Sequence, residues 1–122
     1  MNEILVVCRN DALSKVITKR LDKRGYPCRA EWGVDEAIDY WEKNHPDLII
    51  IDPRMPDDGY RLIEKVVNES PNQKILLFFC NSNSYHQYLS RYPKDRFPHL
   101  DLSGYSDLDV LEETVEKIFN QE

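Results

Sequence analysis

Three stretches of this chain are apolar at every position, and they alternate with stretches whose apolar residues recur every three or four positions. Ile4–Val7, Leu48–Ile51 and residues 75–79 belong to the first kind. Runs that are apolar on both faces suit strands buried between two helix layers. Cys28–Glu31 reads as a shorter strand at a sheet edge. Residues 97–102 read as the last strand, with Pro98 placing it near an edge.

The second kind predicts amphipathic helices. The first carries Leu13, Val16, Ile17 and Leu21, with Asn10 as N-cap and Asp11 favouring the positive end of the helix dipole. Arg24-Gly25-Tyr26-Pro27 ends it, with Gly just past the last turn and Pro soon after. Gly33 then turns the chain into a second helix with Val34, Ala37, Ile38 and Trp41 on its apolar stripe, broken by His45-Pro46. Gly59 precedes a third helix carrying Leu62, Ile63, Val66 and Val67, and Ser70-Pro71 ends it. A polar loop, Asn81-Ser82-Asn83-Ser84, leads to a short fourth helix over 85–92. Ser106 caps a last helix with Leu108, Leu111, Val115, Ile118 and Phe119. Strand and helix alternate about five times, which predicts a doubly wound α/β domain of five parallel strands and five helices in three layers, joined by right-handed crossovers.

Composition changes this picture little but narrows function. The 122 residues suffice for one core and make 1–122 a single expected domain. A net charge of -6 disfavours a nucleic-acid surface. No apolar run approaches the roughly 20 residues that span a bilayer, and the amino terminus lacks a signal peptide's pattern. Cys8, Cys28 and Cys80 have no paired spacing, which fits reduced thiols and a cytoplasmic location. Cys8 and Cys80 read as small packing residues rather than a redox or metal pair. His45, His86 and His99 are too scattered for a metal or relay centre.

The chemistry concentrates where the central run stops. Asp52 follows Ile51 at the carboxyl end of a predicted central strand, where open α/β sheets place their sites. Asp57 and Asp58 read as a solvated pair on the following turn.

Pro46-Asp47-Leu48-Ile49-Ile50-Ile51-Asp52, followed by Met55-Pro56 and Gly59, resembles the receiver domain of two-component response regulators. Ile4–Val7, Lys23-Arg24-Gly25-Tyr26 and Trp32-Gly33 extend the resemblance over nearly the whole chain. It implies a flavodoxin-like fold and makes Asp52 the candidate phosphoacceptor, taking a phosphoryl group from a histidine kinase with Mg²⁺ as cofactor. The resemblance also implies partners for that aspartate, and the chain departs from each. An acidic pair after the first strand becomes Cys8 and Arg9. A hydroxyl ending the fourth strand becomes Phe79, a lysine ending the fifth becomes Ser103, and the proline after it becomes Gly104. The switch aromatic becomes Leu100, while Tyr105 keeps an aromatic position.

A thiol is a poor Mg²⁺ ligand and a guanidinium repels the ion. The expectation is therefore a pseudo-receiver of a phosphorelay signalling protein: no enzyme, no cofactor, and an inert Asp52 held by Arg9 or Arg54. The alternative is a working Mg²⁺-dependent receiver phosphorylated on Asp52 by a histidine kinase. A nucleotide- or flavin-binding module is disfavoured because no glycine follows Val7. Tyr85, His86, Tyr88, Tyr92, Leu100 and Tyr105 form the candidate interface, on the surface of the fourth helix, fifth strand and last helix, for a signalling protein or a second copy.

Overall fold

Five strands form one parallel sheet in the order β2-β1-β3-β4-β5: β1 (Ile4–Val7), β2 (Cys28–Glu31), β3 (Leu48–Ile51), β4 (Lys74–Phe78) and β5 (Leu100–Ser103). The structure is a computed structural model that describes residues 2–52, 56–78, 91–103 and 108–120, with 56–58 and 102–103 described through their backbone alone. Among these residues the helices are α1 (Asp11–Lys23), α2 (Val34–Asn44), α3 (Pro56–Glu69) and α4 (Leu108–Asn120). The predicted helix over 85–92 falls on positions outside the described residues up to Ser90, as does the Ser106 cap.

The all-apolar runs became the inner strands for the expected reason. Ile4, Val6, Leu48, Ile50 and Leu76 turn to one core, shared with Ile17 and Leu21 of α1 and Leu111, Val115 and Ile118 of α4. Leu5, Val7, Ile49, Ile51, Ile75 and Leu77 turn to the other, with Ala37 and Trp41 of α2 and Leu62, Ile63 and Val66 of α3. Alternate residues of a strand face opposite sides, so a sheet covered twice must be apolar at every position. Each fully buried aliphatic side chain contributes about 1.5–3 kcal/mol.

Local signals position the helices. The Asn10 side chain accepts the Leu13 N–H at 3.0 Å, so the predicted N-cap is real. At the other end of α1 the Gly25 N–H donates to Asp22 O and the Tyr26 N–H to Leu21 O, at 3.0 and 3.1 Å. This paired C-cap needs a left-handed residue, and Gly25 has φ +91. Gly25→Ala meets no steric obstacle, so its expected loss of about 1–2 kcal/mol in urea unfolding is backbone strain alone. His45 ends α2 in the same left-handed region, φ 47, just before Pro46.

Four expectations need correction. Val16 is 43% exposed, because the α1 stripe runs through Ile17 and Leu21, and Ser14 takes the buried place one turn earlier. Gly59 lies inside α3 and is buried; packing of that face outweighs glycine's weak helix propensity of about 1 kcal/mol. The last strand starts at Leu100, since residues 93–97 turn, with both the Arg96 and Phe97 N–H groups bonded to Pro93 O. The fourth strand runs Lys74–Phe78, one residue earlier than expected, and Phe79 lies outside the described residues.

Cys28 shows how burial controls a thiol here. Burial pushes it from 9.0 up to about 12, with the charges of Asp22 and Glu3 adding to the effect, and its Sγ donates to Tyr26 O at 3.3 Å. Because the folded value is raised, this group's contribution to stability is complete below about 9 and is lost as pH rises towards about 12. Native Cys28 should be alkylated many-fold more slowly than the unfolded chain at about pH 8, as read by peptide mass mapping.

Candidate functional site at the carboxyl edge of the sheet

The parallel ladder carries four positions to one level beyond its buried centre. Val7 pairs with Ile51, and Ile51 with Leu77. The Asp52 N–H donates to Val7 O at 2.9 Å and the Cys8 N–H to Glu31 O at 3.3 Å, which extends the ladder by one residue on each strand. Cys8 and Asp52 therefore stand side by side, followed across the sheet by Phe78 and then Ser103, which are register partners.

Asp52 is only 6% exposed, and Cys8 is 3% exposed. The Cys8 Sγ lies 3.5 Å from Asp52 Oδ2 and 3.5 Å from Asn10 O. Its single proton has two acceptors, one of them the carboxylate. A hydrogen bond from a thiol is weak, but in a buried site it satisfies a group that burial would otherwise penalise.

Arg9 follows Cys8 and is exposed, and its backbone oxygen accepts the Trp32 indole N–H at 2.9 Å. That bond ties the β1–α1 loop to the β2–α2 turn at the rim of the site. Nothing in the sequence marked this use of Trp32, a residue otherwise 66% exposed.

Among the described residues, the side chains that meet at Asp52 are a poor match for a magnesium ion. Mg²⁺ requires octahedral oxygen ligation from carboxylates and waters. The Cys8–Asp52 contact joins a carboxylate to a thiol, and among the described residues no group of three His, Cys, Asp or Glu side chains is placed to hold a metal.

The other expected positions separate. Arg54, Phe79, Tyr85, His86, Tyr88 and Tyr105 lie outside the described residues, and Ser103 is placed by its backbone at the end of β5. Tyr92, expected on a contact surface, is 5% exposed. It packs edge-on to Phe97 at 5.2 Å and against Tyr60 at 5.5 Å, which makes it a core residue. Leu100 is likewise buried, at 4%. Sequence reasoning also missed Glu112. This buried carboxylate on α4 receives Arg20 Nε at 3.2 Å and Arg24 Nε at 2.7 Å from α1, a pairing with no local signature.

A doubly wound parallel sheet with a carboxylate ending its central strand is a flavodoxin-like domain whose site lies at the carboxyl edge. Residues 4–92 match the response regulator receiver domain, and the chain belongs to that family. It is similar to the sensor histidine kinase RcsC of Escherichia coli (strain K12), with 38% identity over 65 residues covering 52% of this chain and 7% of that protein. It is also similar to the probable transcriptional regulator ycf27 of Porphyridium aerugineum, with 29% identity over 76 residues covering 62% of this chain and 32% of that protein. The matches thus span a minor part of those curated relatives.

Among solved structures, the non-phosphorylated HemR receiver domain of Leptospira biflexa superposes with TM-score 0.81 at 19% identity, covering 100% of this chain and 97% of that one. The response regulator TrrA of Thermotoga maritima, in complex with Mg²⁺-BeF, gives TM-score 0.79 at 24% identity over 97% and 99%. These likenesses establish the fold. As a receiver domain the chain is a signalling module of two-component systems, a class that interacts with histidine kinases and other signalling proteins. Among the described residues, no helix is long and apolar enough to cross a membrane.

Proposed function

We propose that this receiver domain signals through protein contacts without Mg²⁺-dependent phosphorylation. The observation that carries the reading is the buried Cys8 thiol donating to Asp52, at a place where the chemistry requires a hard oxygen ligand. Phosphoryl transfer to a carboxylate needs neutralisation of the phosphoryl oxygens by a metal or fixed cations. Partner binding then selects a conformation by differential affinity, taking over the role of the phosphoryl group.

Arg9 supplies a permanent positive charge beside the site in this reading. An Arg9→Ala variant should lose binding to its signalling partner, while its stability falls by only about 0–1 kcal/mol because the side chain is exposed. Incubation with acetyl phosphate and Mg²⁺ should leave the intact mass unchanged. A phospho-adduct that disappears in Asp52→Ala would instead establish the Mg²⁺-dependent phosphoacceptor, with a histidine kinase as the natural donor.

A further inference from the structure

The charge order along the edge strand is self-complementary. β2 ends the sheet, so one side of its backbone faces outward. Pro27 O accepts from Ile4 N and Glu31 O from Cys8 N. In a parallel ladder the bonded residues of a strand alternate, so residues 27, 29 and 31 turn to β1. The N–H and C=O groups of Cys28 and Ala30 therefore point away from the sheet.

We propose that a second copy of this chain adds to β2 in antiparallel fashion, about a two-fold axis at Ala30. In that register Ala30 faces its own copy, and Cys28 faces the position of Trp32. Those are the residues whose outward groups such a pair needs. Arg29 then stands opposite Glu31 of the second copy, and Glu31 opposite its Arg29. These are non-hydrogen-bonded pairs, the closer type, in which opposite charges attract across strands. Both side chains lie on the α2 side of the sheet, where Arg29 stacks on the Tyr40 ring at 5.2 Å.

Charges on an edge strand commonly discourage pairing. Here their order is antisymmetric about Ala30, so the two-fold contact replaces repulsion with two ion pairs, as an isologous interface demands. Within one copy Arg29 Nε and Glu31 Oε2 already meet at 2.9 Å, and the dimer exchanges two such internal pairs, one from each copy, for two between copies. Trp32, 66% exposed beside the strand, gains cover at each end. Five residues from each copy make a small interface, so association belongs to the weak, transient class.

Sedimentation of the whole domain tests this. Wild type should show a monomer–dimer equilibrium at concentrations approaching about 1 mM. Arg29→Glu and Glu31→Arg each place like charges opposite one another and should weaken association at least about tenfold. An equimolar mixture of the two should recover it. Both charged positions of the strand are then acidic in one chain and basic in the other, although neither chain has regained its internal pair. The double variant R29E/E31R should recover it too. A wild type that stays monomeric throughout would overturn the proposal, as would single variants that associate like wild type or a mixture that fails to recover. Should a single variant fail to fold, the wild-type measurement and the double variant still decide.

Discussion

Trp41→Ala should destabilise the domain by about 3–5 kcal/mol, the range for deleting a large buried aromatic. Trp41 is 2% exposed and sits in the core between α2, α3 and the sheet. Its indole N–H donates to Gln73 Oε1 at 3.0 Å, and its ring meets the His45 ring edge-on at 5.9 Å. Truncation removes packing, leaves a cavity and strips Gln73 of a donor. Domains of this size have about 5–15 kcal/mol in all, so the urea midpoint should fall by about a fifth or more with the slope nearly unchanged. A loss below about 1 kcal/mol would mean the α2 side of the core is not packed as described.

Cys8→Asp is the second large effect, and it is specific to the site. The new carboxylate would stand beside Asp52 in a place that is 3–6% exposed. Two like charges so close in a buried place should cost about 3 kcal/mol. A divalent cation would relieve part of that cost. At ten times its dissociation constant, bound Mg²⁺ restores about 1.4 kcal/mol, whereas wild type should show no Mg²⁺-dependent shift in its unfolding midpoint. Equal responses in the two proteins would show that the Cys8 thiol is not what bars the metal.

What the sequence disclosed follows from how locally each feature is encoded. β1, β3 and β4 were legible because an uninterrupted apolar run leaves a sheet strand few alternatives. Asn10 and Gly25 were legible because capping is chemistry of single residues. Asp52 stood out by its position after Ile51. Tyr92 did not, because a tyrosine among polar neighbours looks like a contact residue until Tyr60 and Phe97 are brought around it from elsewhere in the chain. Glu112 was illegible for the same reason: the arginines that make its burial tolerable lie on α1, 88 positions away for Arg24. Gly59 reads as a helix boundary and is buried within α3, because tertiary packing overrode propensity. The Cys8–Asp52 contact lay between these extremes, since both ends were visible but only the register of β1 against β3 joins them.

We propose that this receiver domain does not take up magnesium and phosphate at Asp52. Amide NMR spectra with beryllofluoride, with and without Mg²⁺, address it most directly, because this mimic engages the acceptor carboxylate without requiring a phosphodonor. The account predicts no saturable shifts around Asp52, Cys8 and Phe78 at any Mg²⁺ concentration that leaves the fold intact. Mg²⁺-dependent shifts centred on Asp52 and abolished in Asp52→Ala would contradict it and return the domain to phosphorylation-driven signalling.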